Sequence, residues 1–130
     1  MADTMELTTA SNHPLASHYI DIANMDWQAT ELPGIEMKLL YKDEASGRST
    51  MLFRMAPGAV VPLHVHNEVE QTYVIEGSLV DAQGACTAGN FVWRPAGNTH
   101  EAHAPDGALI LSVFLKPNTF LENQPGFAKS

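Results

Sequence analysis

The sequence predicts an all-β domain, an antiparallel sandwich or barrel of short strands. Three observations carry this. Apolar, β-prone runs recur with turn signals spaced about 8–12 residues apart. The eight prolines and nine glycines are spread along the chain rather than clustered, which suits many short elements joined by turns. No stretch of useful length has a helical period. At 130 residues and 45% hydrophobic content, one compact domain with a real core is expected.

Residues 1–18 are polar and unpatterned, and read as an arm that is flexible or packs on a partner. The domain proper is expected over 19–120, followed by a polar tail over 121–130. Two or three strands fall between Tyr19 and Ala59. Leu32-Pro33-Gly34 is a turn signal, and Ile35–Tyr41 is apolar enough for a strand. The polar loop KDEASGR then leads into a returning strand, Ser49–Met55. Further strands are expected at Val60–His66, Thr72–Ile75, Ser78–Ala82, Asn90–Arg94, Glu101–Ala104 and Ala108–Phe114. The turns between them fall at Glu76-Gly77, Gln83-Gly84, Ala88-Gly89, Pro95–Asn98 and Pro105–Gly107.

The formal net charge of −8, with no cluster of Lys and Arg, argues against binding to nucleic acid or anionic membrane. The single cysteine, Cys86, excludes a disulfide framework and a Cys-rich zinc module, and with no basic neighbour it reads as an inert thiol. The N-terminal stretch lacks the charged and apolar regions of a signal peptide, and no apolar run approaches the ~20 residues of a membrane span. A soluble, cytoplasmic protein is the expectation.

The chemistry is concentrated in HVHNEVEQTYVIEG, residues 64–77. On a strand, His64 and His66 project from one face, and Glu70 stands at an even offset from both. Two imidazoles and a carboxylate converging on one point make a site for a divalent ion. Without an ion, each buried group would need another partner. His100, in RPAGNTH, is the candidate fourth ligand, because Pro95 and Gly97 force a turn that can bring it over the first three. His103 stands at an odd offset from His100 and is expected to face outward with Glu101. His13 and His18 lie in the polar arm without a partner at ligand spacing. An isolated H-x-H on a strand usually binds nothing, so the frame around the pair decides.

That frame resembles the cupin superfamily. The first cupin motif, G-x5-H-x-H-x3-E-x6-G, is met by Gly58, His64, His66, Glu70 and Gly77. The second, G-x5-P-x-G-x2-H-x3-N, is met by Gly89, Pro95, Gly97 and His100, with Ala104 in place of the closing Asn. The resemblance covers about residues 35–116. It implies a single-domain cupin, a jelly-roll β-barrel, often a homodimer. It also implies one divalent metal ion on His64, His66, Glu70 and His100. The departure at Ala104 bears on turn geometry rather than on the metal.

Within the superfamily the chain looks similar to two groups. One is the cupin half of zinc-binding anti-sigma factors, whose N-terminal helical zinc module is not present in this sequence. The other is the small dioxygenases that cleave β-diketones or hydroxyacetophenones. The resemblance therefore implies a metal-dependent dioxygenase that uses Fe(II) and O2 on a small β-diketone-like or acylphenol substrate bound through two atoms. A zinc-binding sensor or regulatory module is the alternative, and a metal-dependent isomerase or lyase the third reading. The ligand set does not fix the ion, since such nitrogen and oxygen donors accept Fe, Zn, Mn, Ni, Co or Cu.

Around the ligands, Arg54 and Arg94 are candidates to pair with Glu70 or a substrate oxygen, although each reads more simply as a surface or rim charge. Gln71 and Tyr73 share the face opposite Glu70. Phe53, Phe91, Trp93 and Phe114 read as core or interface residues, and Met37, Met51 and Met55 as core fillers.

Overall fold

In a computed structural model, residues 13–121 are described. Residues 1–12 of the expected arm and 122–130 of the expected tail lie outside them. After a single-turn 3-10 helix at Ile22–Asn24 come ten strands: β1 (Gln28–Ala29), β2 (Ile35–Asp43), β3 (Arg48–Met55), β4 (Ala59–Val65), β5 (Glu70–Asp81), β6 (Gly84–Thr87), β7 (Phe91–Arg94), β8 (Thr99–Ala104), β9 (Ala108–Phe114) and β10 (Thr119–Phe120). Every pairing is antiparallel. The order across the sheet is β1-β2-β3-β9-β5-β8-β4-β10, with β6 and β7 also paired to β5. The expected all-β barrel is thus a single antiparallel sheet curled on itself.

Burial alternates where period-2 patterning demands it. On β9, Ala108, Ile110, Ser112 and Phe114 point inward, and on β3, Met51, Phe53 and Met55 do. Phe53 and Phe114, each 1% exposed, meet edge to face with centroids 6.2 Å apart. Burial of each ring contributes about 2–3 kcal/mol. Lys38 is buried on the outer face because the segment before β1 lies over it, and its ammonium donates to Ile22 O at 2.7 Å. Phe91 and Trp93 stand on the outer face at 55% and 60% exposure rather than in the core.

The main departure from expectation is β5. Two strands with a turn at Glu76-Gly77 were expected, but the chain runs as one strand of 12 residues. Its first half pairs with β7 and β9, and its end with β6 and β8. The pairing with β9 slips between Val74 and Glu76, so inward residues change from even (Thr72, Val74) to odd (Leu79). Gly77 has the positive φ of a turn residue, but its role is close approach: a Cβ there would lie 2.0 Å from the Gly107 carbonyl oxygen. The sequence signal for a turn was a signal for a crowded strand. Two short strands, β6 and β10, carried too little pattern to be read from sequence.

The Ala104 departure from the motif leaves its turn intact. Ala104 is fully buried, and its carbonyl accepts from Gly107 N at 3.1 Å and Gly58 N at 2.7 Å.

Gly77→Ala should destabilise the fold by about 3 kcal/mol or more, because backbone clash adds to left-handed strain. Gly58→Ala has the same positive φ, but no atom lies within 4 Å of the added Cβ. It should cost about 1–2 kcal/mol. Urea unfolding midpoints of the two variants check the contrast.

Candidate metal centre

The centre is assembled from the ends of three strands. His64 lies on β4 directly opposite His100 on β8, as an antiparallel cross-strand pair. The pairing continues past the end of β4: His66 N donates to Asn98 O at 2.8 Å, and Gly97 N to His66 O at 2.7 Å. Between Pro95 and His100 the chain makes a tight turn, with Asn98 N on Pro95 O and Gly97 at φ 88°. That is a type II geometry, which favours glycine at this position. Glu70 does not continue the strand of His64. The chain bends through 66–69, and Glu70 opens β5. It reaches the same space from the adjoining wall.

One ligand atom from each of His64, His66, Glu70 and His100 lies within 4.8 Å of the others. Two donors on opposite sides of an ion at ~2.1 Å would stand ~4.2 Å apart, so a small contraction closes the set on one cation. The ring centroids are 4.6 Å apart for His64–His100, 4.7 Å for His64–His66 and 5.0 Å for His66–His100. His64 and His66 are 3% and 0% exposed.

Each imidazole is held at Nδ1. His64 Nδ1 is 2.7 Å from Pro62 O. A carbonyl only accepts, so this nitrogen carries the proton. His66 Nδ1 is 2.9 Å from Glu70 Oε1 and 3.1 Å from Asn118 Oδ1. His100 Nδ1 is 3.1 Å from Asp81 Oδ2. The same logic assigns the Nδ1 proton in both, and leaves Nε2 of each ring as the nitrogen free to face an ion. His66 Nε2 is buried and has no hydrogen-bond partner. Such an orphaned lone pair beside a carboxylate fits a cation.

The electrostatics agree. Burial, more than any other influence, lowers the pKa of His64 from its ordinary 6.5. His100 is lowered to about 4, by burial first and then by Arg94 and the other two imidazoles. Both rings are therefore neutral, as ligands must be. Burial opposes ionisation of Asp81, but the backbone donors of Gln83 and Gly84, together with Arg94 and His100, outweigh it and lower its pKa.

The cavity beside the ligands leaves about 30 Å³ for the centres of water molecules, room for about two waters. Its walls are largely apolar: Ile35, Phe53, Met55, Val61, Leu79, Ile110 and Phe114 face His64, Glu70, Arg94 and His100 across it.

Of the two arginines, Arg54 does not reach this cavity. It faces outward from β3, paired with Glu36 at 2.6 Å and stacked over Trp27 at 4.3 Å. Its neighbours Phe53 and Met55 take the inward positions. Arg94 is the reverse case. The surface reading fails for it: it is 8% exposed, lines the cavity and donates to Asp81 Oδ2 at 2.7 Å. Its partner is Asp81, not Glu70. His103 and Glu101 are exposed on the outer face, as their offset requires, and His13 and His18 are exposed on the arm. The Cys86 thiol is buried, and burial raises its pKa.

Sequence reasoning passed over Asp81, Asn118 and Thr72. Thr72 shares a buried hydroxyl contact with Ser112 at 2.9 Å. Its even offset from Glu70 was a usable signal. Asp81 had none, because its odd offset from Glu70 points it outward until the slip in β5 reverses the count.

The sequence pattern of the ChrR cupin-like domain matches residues 15–119. The chain belongs to this cupin family. A search of curated proteins finds no match. Among solved structures, this cupin is similar to a candidate acetylacetone dioxygenase from Methylibium petroleiphilum PM1, at 21% identity and a TM-score of 0.79 over 87% of this chain and 88% of that one. It is similar also to an acetylacetone dioxygenase from Acinetobacter johnsonii, at 19% identity and a TM-score of 0.77 over 89% of each chain. A third likeness is to a structure of the anti-sigma ChrR with SigE from Rhodobacter sphaeroides, at 21% identity and a TM-score of 0.62 over 72% of this chain and 50% of that one. These likenesses establish the cupin barrel fold. No helix among the described residues is long and apolar enough to cross a membrane.

The low imidazole pKa values make the metal-free cupin acid-sensitive. Its His contribution to stability is complete above the ordinary value of 6.5 and is lost as pH falls toward about 4, where His100 titrates. The effect from His100 is on the order of 3 kcal/mol at most. Urea midpoints between pH 7.5 and pH 4 should fall, and should fall less in His100→Gln.

Proposed function

We propose that this cupin is a metal-dependent dioxygenase that cleaves a carbon–carbon bond in a small β-diketone-like substrate, with one divalent ion held by His64, His66, Glu70 and His100. The observation that carries the proposal is the donor set itself: three imidazoles and one carboxylate around a buried, unpartnered His66 Nε2. The likeness to an acetylacetone dioxygenase and to a candidate one supports the substrate class.

The charge sum supports the ligand type. A divalent ion with one carboxylate keeps a charge near +1, and Asp81 and Arg94 cancel each other. A substrate carrying one negative charge, as an enolised 1,3-dicarbonyl does, restores neutrality in a poorly solvated cavity. Fe(II) bound here would supply the redox chemistry with O2. The protein's part is to keep the imidazoles neutral, hold Glu70 beside His66, and line the reacting space with Phe53, Phe114, Met55 and Ile110 so that water is displaced. The lone buried thiol suits a cytoplasmic setting.

A zinc-binding regulatory cupin is the second reading, favoured by the match to the ChrR cupin-like pattern. Iron-loaded protein given pentane-2,4-dione in an oxygen electrode separates the two. Uptake that is lost in His64→Ala supports the dioxygenase. Tight zinc with no uptake from any 1,3-diketone moves the assignment to the regulatory reading.

We further propose a homodimer in which a second copy covers the outer face of β5 and β7. There Tyr73 stands opposite Phe91, and Gln71 opposite Trp93, with both aromatic partners of β7 exposed. Light scattering behind size exclusion should give twice the chain mass, and Phe91→Ser with Trp93→Ser should give the monomer. A monomeric wild type rejects the interface.

A further inference from the structure

Resting on the metal-centre reading above, we propose that Asp81 is a positioning residue: it fixes His100 in the Nδ1–H tautomer, so that Nε2 is kept as the donor to the ion.

Asp81 ends β5, the strand that Glu70 opens, and lies apart from β4 and β8, which carry His64 and His100. Its side chain is 6% exposed, yet its carboxylate accepts four hydrogen bonds. Oδ1 takes the backbone N–H groups of Gln83 at 2.9 Å and Gly84 at 3.0 Å. Oδ2 takes Arg94 Nη1 at 2.7 Å and His100 Nδ1 at 3.1 Å. The two turn donors fix the carboxylate plane. Arg94, reaching from β7, holds the oxygen that His100 uses. β8 meets β5 at Val80↔His103, which brings the end of β5 beside His100.

A neutral imidazole in water prefers the proton on Nε2, the atom that must be bare to bind an ion. A buried carboxylate that faces only Nδ1 reverses this preference. Arg94 neutralises the carboxylate, so the device adds no net charge to the centre. His64 is set by a backbone carbonyl and His66 by Glu70 and the Asn118 amide, so His100 is the ligand whose orientation depends on a carboxylate outside the ligand set.

Asp81→Asn tests this. An amide that keeps its oxygen toward the turn donors puts its NH2 in the place of Oδ2, facing both Arg94 and His100, and an N–H donor at His100 favours the Nε2–H tautomer. Long-range proton–nitrogen NMR on metal-free protein with 15N-labelled histidine, at pH 7.5, reads the tautomer directly. Wild type should show His100 protonated at Nδ1. Finding the proton on Nε2 in wild type overturns the proposal without any variant. In Asp81→Asn, with folding checked by circular dichroism, the His100 signals should move toward Nε2–H. Co(II) affinity, measured by chelator competition, should fall by ~10- to 100-fold. A folded variant with an unchanged tautomer, or with affinity within about twofold of wild type, also overturns it. Wild type that binds no Co(II) rejects the metal reading instead, and the tautomer measurement still decides the role of Asp81.

Discussion

The constraint on which this structure turns is a set of three imidazoles turned inward, away from bulk solvent. His66 is fully enclosed, its Nδ1 is committed to Glu70 and Asn118, and its Nε2 has no partner. An unsatisfied buried polar atom costs about 1–3 kcal/mol. Here it lies in a group with two more neutral rings and a carboxylate. Without an ion, such a group sets lone pairs and a carboxylate against one another. A cation bound there would satisfy all four at once.

The curl of the sheet brings the parts of this centre together. β5 has Glu70 at one end and Asp81 at the other, and a straight strand would hold them ~36 Å apart. Arg94 stands opposite Glu70 in the β5–β7 register, yet its guanidinium bonds Asp81. The two ends of one strand are thus brought to one centre by curvature. The slip in pairing and the close Gly77–Gly107 approach are where that curvature is concentrated. The two halves of the barrel close over the apolar core around Phe53 and Phe114, and the polar centre sits where their strand ends meet.

Charge is arranged with economy. The chain carries a net charge of −8, yet the centre holds only two carboxylates, the candidate ligand Glu70 and Asp81 beside His100, and Arg94 offsets the latter. Neutral imidazoles are secured by burial, which keeps protons from competing with an ion. Arg94 contributes to this as well, by disfavouring a positive charge on His100.

The sequence alone determined the fold class and the four candidate ligands, because both rest on short-range regularities. Side-chain alternation along a strand places His64 with His66, and Pro95 with Gly97 dictates a turn before His100. The cupin motif spacing records the same local geometry. The tertiary structure decided what lies around the ligands. Arg54 and Arg94 look alike in sequence, and only packing sends one over Trp27 and the other into the cavity. Asp81 was invisible because a slip in pairing, which depends on the partner strand β9, reversed the face it occupies. Alternation can be counted along one strand, whereas a register is set between two, and no single stretch of chain contains that information.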